Sequence, residues 1–199
     1  MKKFSKAIFL IICLVVPCQA AVTDLTGKSL NLQNGNCGTH LLIDGFADIS
    51  SVIHVLSFDS AGSVYLDYKG LGAQTANARG GRGISGTVNI YSEDLIFDFT
   101  AEIKASSITV GLTDYSRRGD NTIIKLTFAD GSEMSFSESH SAWDNAVSYT
   151  SSSRAVLSLD TFLGSSCDKT VSKLTVTETA GNIYINSIGY EITPVPEPT

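Results

Sequence analysis

The sequence predicts an all-β domain, an antiparallel two-sheet β-sandwich of jelly-roll type, with a closed β-barrel as the alternative. Three observations predict it. Apolar residues recur at every second position through most of the chain, which is the period of half-buried strands and not the 3.6-residue period of helices. The alternating runs are short and are separated by polar, glycine-bearing breaks of hairpin length, which favours antiparallel pairing. The positions between the apolar ones are rich in Ser and Thr, as expected where each sheet is packed on one face and wet on the other. With 199 residues, 43% hydrophobic and 17% charged, the chain supports one core and is short of the usual length for two.

Residues 1–20 stand apart from the domain. Met1 to Lys6 is basic, residues 7–16 are an unbroken apolar run, and Cys18 and Ala20 are small residues at −3 and −1 of a cleavage site after Ala20. This is the three-part build of a secretory signal peptide, and the apolar run is too short for a membrane span of about 20 residues.

The body, residues 21–193, is then read in order. Ile53 and Val55 begin the alternation, followed by Val64, Leu66 and Tyr68, by Val88 and Ile90, and by a long set from Leu95 through Phe97, Phe99 and Ala101 to Ile103. Next come Ile108, Val110 and Leu112, then Ile124, Leu126 and Phe128, then Met134 and Phe136. Leu157 and Leu159, Leu174 and Val176, Ile183 and Ile185, and finally Ile188, Tyr190 and Ile192 complete the series. Breaks fall at 60–62, 118–121, 130–131 and 180–182, each with a Gly. Asp130-Gly131 is the clearest, since both residues tolerate the positive φ of a tight hairpin. Residues 70–86, which include Arg79-Gly-Gly-Arg-Gly83, carry too much glycine for a regular strand and are expected as a long loop. Residues 137–153, with the single Trp, are expected as a second.

Charge excludes one class of partner. There are 20 acids against 14 bases, a net charge of −6, and loss of residues 1–20 removes three of the lysines. With no basic cluster longer than Arg117-Arg118, the footprint that a nucleic-acid backbone requires is missing. Cys13 and Cys18 belong to the signal, which leaves Cys37 and Cys167. In an oxidising compartment that pair is expected to form a disulfide, which would stabilise by about 5 kcal/mol by closing so long a loop. Two cysteines so far apart in sequence are poor zinc ligands, so no metal centre is expected there.

Candidate chemistry is sparse. His40, His54 and His140 could each serve as a base, but no nucleophile-elbow spacing accompanies them. His54 falls between the apolar positions Ile53 and Val55 and is expected to face solvent. Glu93, Asp94, Asp98 and Glu102 supply acids for a glycosidic-cleavage pair, although Asp98 and Glu102 alternate with Phe97, Phe99 and Ala101 and look like one wet strand face. His140, Trp143 and Asp144 share one segment, and an exposed Trp flanked by polar groups is the pattern of a sugar-stacking site. These three are the candidate glycan contacts, while Trp143 plugging one end of the core, with His140 and Asp144 in solvent, is the favoured role. Asp114, Asp120 and Asn121 are close enough in sequence to suggest a calcium loop, though without EF-hand spacing. Arg118-Gly-Asp120 is accounted for by turn chemistry.

Residues 194–199 are a separate unit, because Pro194, Pro196 and Pro198 are the only prolines after Pro17. Alternating proline makes an extended, semi-rigid segment. The motif Val195-Pro196-Glu197-Pro198, following a β-rich body with a signal peptide at its head, resembles the sorting signal of the PEP-CTERM proteins of Gram-negative bacteria. In that family a membrane helix and an Arg-rich cluster follow the motif; the sequence ends at Thr199. The resemblance implies recognition by an exosortase-type membrane peptidase, display at the cell surface or release into the extracellular matrix, and association with exopolysaccharide and biofilm. The expectation is a non-enzymatic structural or adhesive protein, with a secreted carbohydrate-active hydrolase or lyase on a jelly-roll scaffold as the alternative.

Overall fold

The computed structural model describes residues 20–26, 29–30, 35–55, 58–74, 83–87, 91–116 and 121–192. The signal segment 1–19, the predicted run 88–90, the stretch 79–82, the tripeptide 118–120 and the tail with Val195, Pro196, Glu197 and Pro198 lie outside the described residues. The strands are β1 (Ala20–Asp24), β2 (Gly35–Asn36), β3 (His40–Ile43), β4 (Ala47–Val55), β5 (Phe58–Ala61), β6 (Ser63–Asp67), β7 (Gly70–Gln74) and β8 (Ile84–Thr87). They continue with β9 (Tyr91–Lys104), β10 (Thr109–Thr113), β11 (Thr122–Phe128), β12 (Glu133–Ser137), β13 (Val147–Ser151), β14 (Arg154–Ser158), β15 (Thr170–Glu178) and β16 (Gly181–Glu191). Two single-turn helices, α1 (Trp143–Ala146) and α2 (Asp160–Leu163), interrupt the series.

The strands form two antiparallel sheets packed against each other, with no closed barrel. In the first sheet β16 is central. Along one edge it pairs with β10, and β14 and β13 follow outward. Its other edge is shared by β1 and β7, and β6 and β2 follow from β7. In the second sheet β9 is central, with β15, β11 and β12 on one side and β4 on the other. The far edge of β4 is divided between β3 and β5. Residues 181–183 of β16 pair with β8, which also pairs with β9, so one strand starts in the second sheet and continues in the first.

Alternation places the core. In β4, Ala47, Ile49, Ser51 and Ile53 are buried while the residues between them are half-exposed, and β11 repeats the pattern with Thr122, Ile124, Leu126 and Phe128. Leu95 and Phe97 of β9 and Leu174 and Val176 of β15 complete that inner face. Val64, Leu66, Val110, Leu112, Leu157 and Ile188 supply the facing layer. Toward one end the Phe46 ring lies 5.5 Å from Phe99 of β9 and 4.9 Å from Tyr190 of β16, tying the sheets together. The Asp130-Gly131 turn forms as expected, with Gly131 at φ 80° and Asp130 Oδ1 accepting the Ser132 backbone N–H at 2.9 Å. The 180–182 break also forms, with Gly181 at φ 105°.

Three expectations are corrected. Residues 70–86 are not one loop: β7 and β8 occupy both ends of it. Gly70 belongs to a strand because β7 runs so close to β16 that a Cβ there would collide with the Ile185 carbonyl, so the glycine marks a close approach and not a break. Residues 137–153 are likewise not a loop, since they contain α1 and β13, the latter an edge strand with an almost fully polar, exposed sequence. Finally, Cys37 and Cys167 are free thiols. Cys37 donates its backbone N–H to Val64 in the β6 region, whereas the Cys167 carbonyl accepts the Ser106 N–H, beside the end of β9. By strand register the first lies level with Ile183 and the second near Glu191 on β16, about 25 Å apart at the strand rise, against the ~7 Å limit for bridging Cα atoms.

Two outcomes follow from this packing. Phe97→Ala is expected to lower the unfolding free energy by about 3–5 kcal/mol in urea melts, with an unchanged slope. The folded protein is expected to release both Cys37 and Cys167 to a thiol reagent, and its melting temperature to be the same with and without reductant.

Candidate functional site

The residues expected to contact glycan are placed differently by the fold. Trp143 is only 2% exposed, its Nε1–H donating to Tyr115 Oη at 2.9 Å and its ring 5.9 Å from Phe162. It fills the core, the favoured of its two roles, and offers no stacking surface. His140 is exposed, with its Nδ1 accepting the Ala142 N–H at 3.1 Å and its ring edge-on to Phe136 and Phe162. Asp144 is exposed in the first turn of α1.

The other acids and histidines are engaged in local pairings. His40 Nδ1 meets Asp48 at 3.2 Å. His54, half-exposed on β4, is clamped between Asp59 of β5 (Nδ1, 2.7 Å) and Asp94 of β9 (Nε2, 3.0 Å). Glu93 is buried, whereas Asp98 and Glu102 are exposed, so the four acids of β9 do not converge. Glu93 stands opposite Glu178 in the β9–β15 register. The buried Glu178 accepts backbone N–H groups of Asn121 (2.7 Å) and Ala180 (3.0 Å) on Oε1 and the Thr122 hydroxyl (2.8 Å) on Oε2, so it organises the 121 and 180 turns. Of the suggested calcium residues, Asp114 is held by Lys69 Nζ at 2.6 Å, Asn121 donates to Thr179 Oγ1, and Asp120 lies outside the described residues. Among the described residues no group of three His, Cys, Asp or Glu side chains is placed to hold a metal ion.

A site missed by sequence reasoning lies on the outer face of the first sheet. Between β10 and β16 the register shifts: Ser187 stands opposite Gly111 and Ile185 opposite Leu112, which leaves Asn186 as an inserted bulge residue. A bulge re-aims its side chain and raises local twist. Here Asn186 donates through Nδ2 to Thr113 Oγ1 at 2.7 Å and accepts the Ser187 hydroxyl on Oδ1 at 2.9 Å. Gly111 lies beneath these groups, and a Cβ there would collide with Ser187 Oγ and Asn186 Oδ1. On the next strand a Cβ at Gly189 would collide with Thr109 Oγ1. The two glycines thus make room for the Asn186, Ser187 and Thr109 side chains. Asn186 and Ser187 in turn line a hollow of about 340 Å3, walled by Val22, Asp24 and Thr26 on one side and by Thr150, Arg154 and Val156 on the other. That volume is at the small end of ligand pockets.

Beside the hollow the β6–β7 turn carries Tyr68 and Lys69. Lys69 Nζ bonds Asp114 and lies 5.8 Å from the Tyr68 ring centre and 5.4 Å from that of Tyr184. The Asp114 hydrogen bond, outweighing partial burial, raises the Lys69 pKa and keeps the ammonium charged. Asp114 is the described non-glycine residue with positive φ, 61°. Such a backbone is held by its surroundings, here the Lys69 bond.

Comparison with protein-family models returns no match, and neither does comparison with the curated proteins.

The sequence signal for this site was faint: Gly111 and Gly189 interrupt apolar runs, and an isolated strand glycine marks a bulge or a close approach. The partners Asp24, Asn186 and Arg154 are brought together only by pairings across the whole chain.

The His54 clamp predicts a pH dependence. Burial disfavours the imidazolium, but hydrogen bonds to Asp94 and Asp59 outweigh it and hold His54 above its ordinary 6.5. A raised folded value means that the clamp stabilises fully below about pH 6.5 and stops doing so as pH rises through the folded pKa. Thermal melts from about pH 5 to about pH 9 are expected to show a falling Tm across that window, and the His54→Gln variant a smaller fall.

Proposed function

We propose that the protein is an exported, non-enzymatic component of the surface or extracellular matrix of a Gram-negative bacterium, structural or adhesive in role, which associates with polysaccharide through the hollow on the first sheet. Export and processing by an exosortase-type peptidase rest on the signal-peptide build of residues 1–20 and on Val195, Pro196, Glu197 and Pro198. The observation that carries the glycan association is the lining of that hollow. Asp24, Thr26, Thr150, Arg154, Asn186 and Ser187 set carboxylate, hydroxyl, guanidinium and amide groups around it. Such a mixture of donors and acceptors suits a polyhydroxyl ligand. Most of the groups are carried by strands β1, β13, β14 and β16, so their spacing is fixed before the ligand arrives. His140, Trp143 and Asp144 have no part in this site.

The test is expression of the full chain in a Gram-negative host, followed by N-terminal sequencing and by retention on extracellular polysaccharide. The expected mature N-terminus is Ala21. Arg154→Ala and Ser187→Ala, both at half-exposed or exposed positions, are expected to reduce retention severalfold without changing the melting temperature. Equal retention by wild type and both variants would sink the hollow as the contact. Release of reducing ends from the polysaccharide would turn the assignment to the hydrolase or lyase.

A further inference from the structure

Residues bordering the hollow lead on to the β6–β7 turn. Thr113 is the link: it is hydrogen-bonded to Asn186 in the hollow, pairs with Arg154 and Tyr184 on the adjacent strands, and precedes Asp114, the partner of Lys69. Gly70, next to Lys69, is packed directly against the Ile185 and Asn186 backbone, which brings the β6–β7 turn alongside the bulge. Tyr68 at that turn is 54% exposed, while Tyr184 beneath Lys69 is only 5% exposed. An exposed tyrosine on a free turn would sample many rotamers. Here the Lys69 ammonium, fixed from the opposite side by Asp114, lies over both tyrosine rings and restrains the outer one. From Tyr184 to Gly189 the outer face of β16 runs about 15 Å at the strand rise. That is longer than one sugar ring.

We propose that Tyr68 is a stacking platform at the end of an extended site, so that the protein grips several consecutive units of a neutral polysaccharide chain from the hollow between Asp24 and Arg154 past Asn186 to Tyr68. This rests on the glycan reading of the hollow and names the ligand more closely. Neutrality follows from the charges along the path. Lys69 is paired with Asp114, Arg154 stands across from Asp24, and Asp67 adds a further negative charge near Tyr184, so no net positive field attracts a polyanion. The flat faces of a sugar ring carry C–H groups that pack on an aromatic ring, which is the use an amphipathic, exposed Tyr serves best.

The experiment is binding of the purified full chain to an array of neutral and uronic-acid oligosaccharides of increasing length, with Tyr68→Ala, Tyr68→Phe and Arg154→Ala beside the wild type, each confirmed folded by circular dichroism. Expected is binding to neutral members that tightens with length. Tyr68→Ala should lose about tenfold on the longer chains with little change on the shortest one bound. Tyr68→Phe should retain the gain, and Arg154→Ala should weaken every length. If length dependence persists in Tyr68→Ala while Arg154→Ala still weakens binding, the hollow stands and the platform is overturned. Binding confined to uronic-acid chains overturns the neutral assignment, and no binding to any member overturns the glycan reading itself.

Discussion

Everything on the first sheet depends on the double duty of β16. The strand begins opposite β8 in the second sheet and ends between β10 and β1 in the first, and a strand that leaves one twisted sheet for another must change its course. The inserted residue Asn186 falls in the part of the strand that follows this passage, next to Ile185, where β7 pairs. The local disruption turns a polar side chain onto the outer face, and Gly111 leaves room for it. The hollow is therefore a by-product of how the sheets are joined, placed where the backbone is least regular, between the pairings with β1 and β10.

The two outer faces differ in kind. On the second sheet charges are matched across strands: Lys173 meets Asp98 at 3.2 Å and Lys125 meets Glu133 at 2.9 Å. Exposed pairs of this sort contribute little energy each, but they close the face to other partners and protect the edge strand β12 from pairing with another sheet. On the first sheet, beside the Lys69–Asp114 pair, polar groups border a hollow instead, and that contrast supports placing the proposed binding there.

How much of this was legible in the sequence varies with the range of the interaction. Where a strand is defined by its own side chains, as in Leu95 and Phe97 or Ile124 and Leu126, alternation was enough, and local turn chemistry marked Gly131 and Gly181 correctly. Where a strand exists because a neighbour needs it, the sequence was mute. Gly70 and Gly72 give β7 no side-chain pattern, and the exposed Ser148, Tyr149, Thr150 and Ser151 of β13 carry no apolar period at all. Trp143 was ambiguous for a different reason: its neighbours His140 and Asp144 are polar, and only the Tyr115 hydroxyl, 28 residues away, settles its indole N–H inside the core. The hollow was illegible because its residues come from four strands that are distant in sequence.

The pairing of β1 with β16 also sets an order of events. Ala20 stands opposite Glu191, so the first described strand finds its partner in the last. Because β10 and β7 use the same strand, most of the first sheet has no centre until β16 is available. Contacts of such sequence separation must offset a large loop-closure entropy before they stabilise anything, and chains built on them fold slowly. Pairs such as β6 with β7 and β10 with β14 can form on their own, but their joining into one sheet waits for β16.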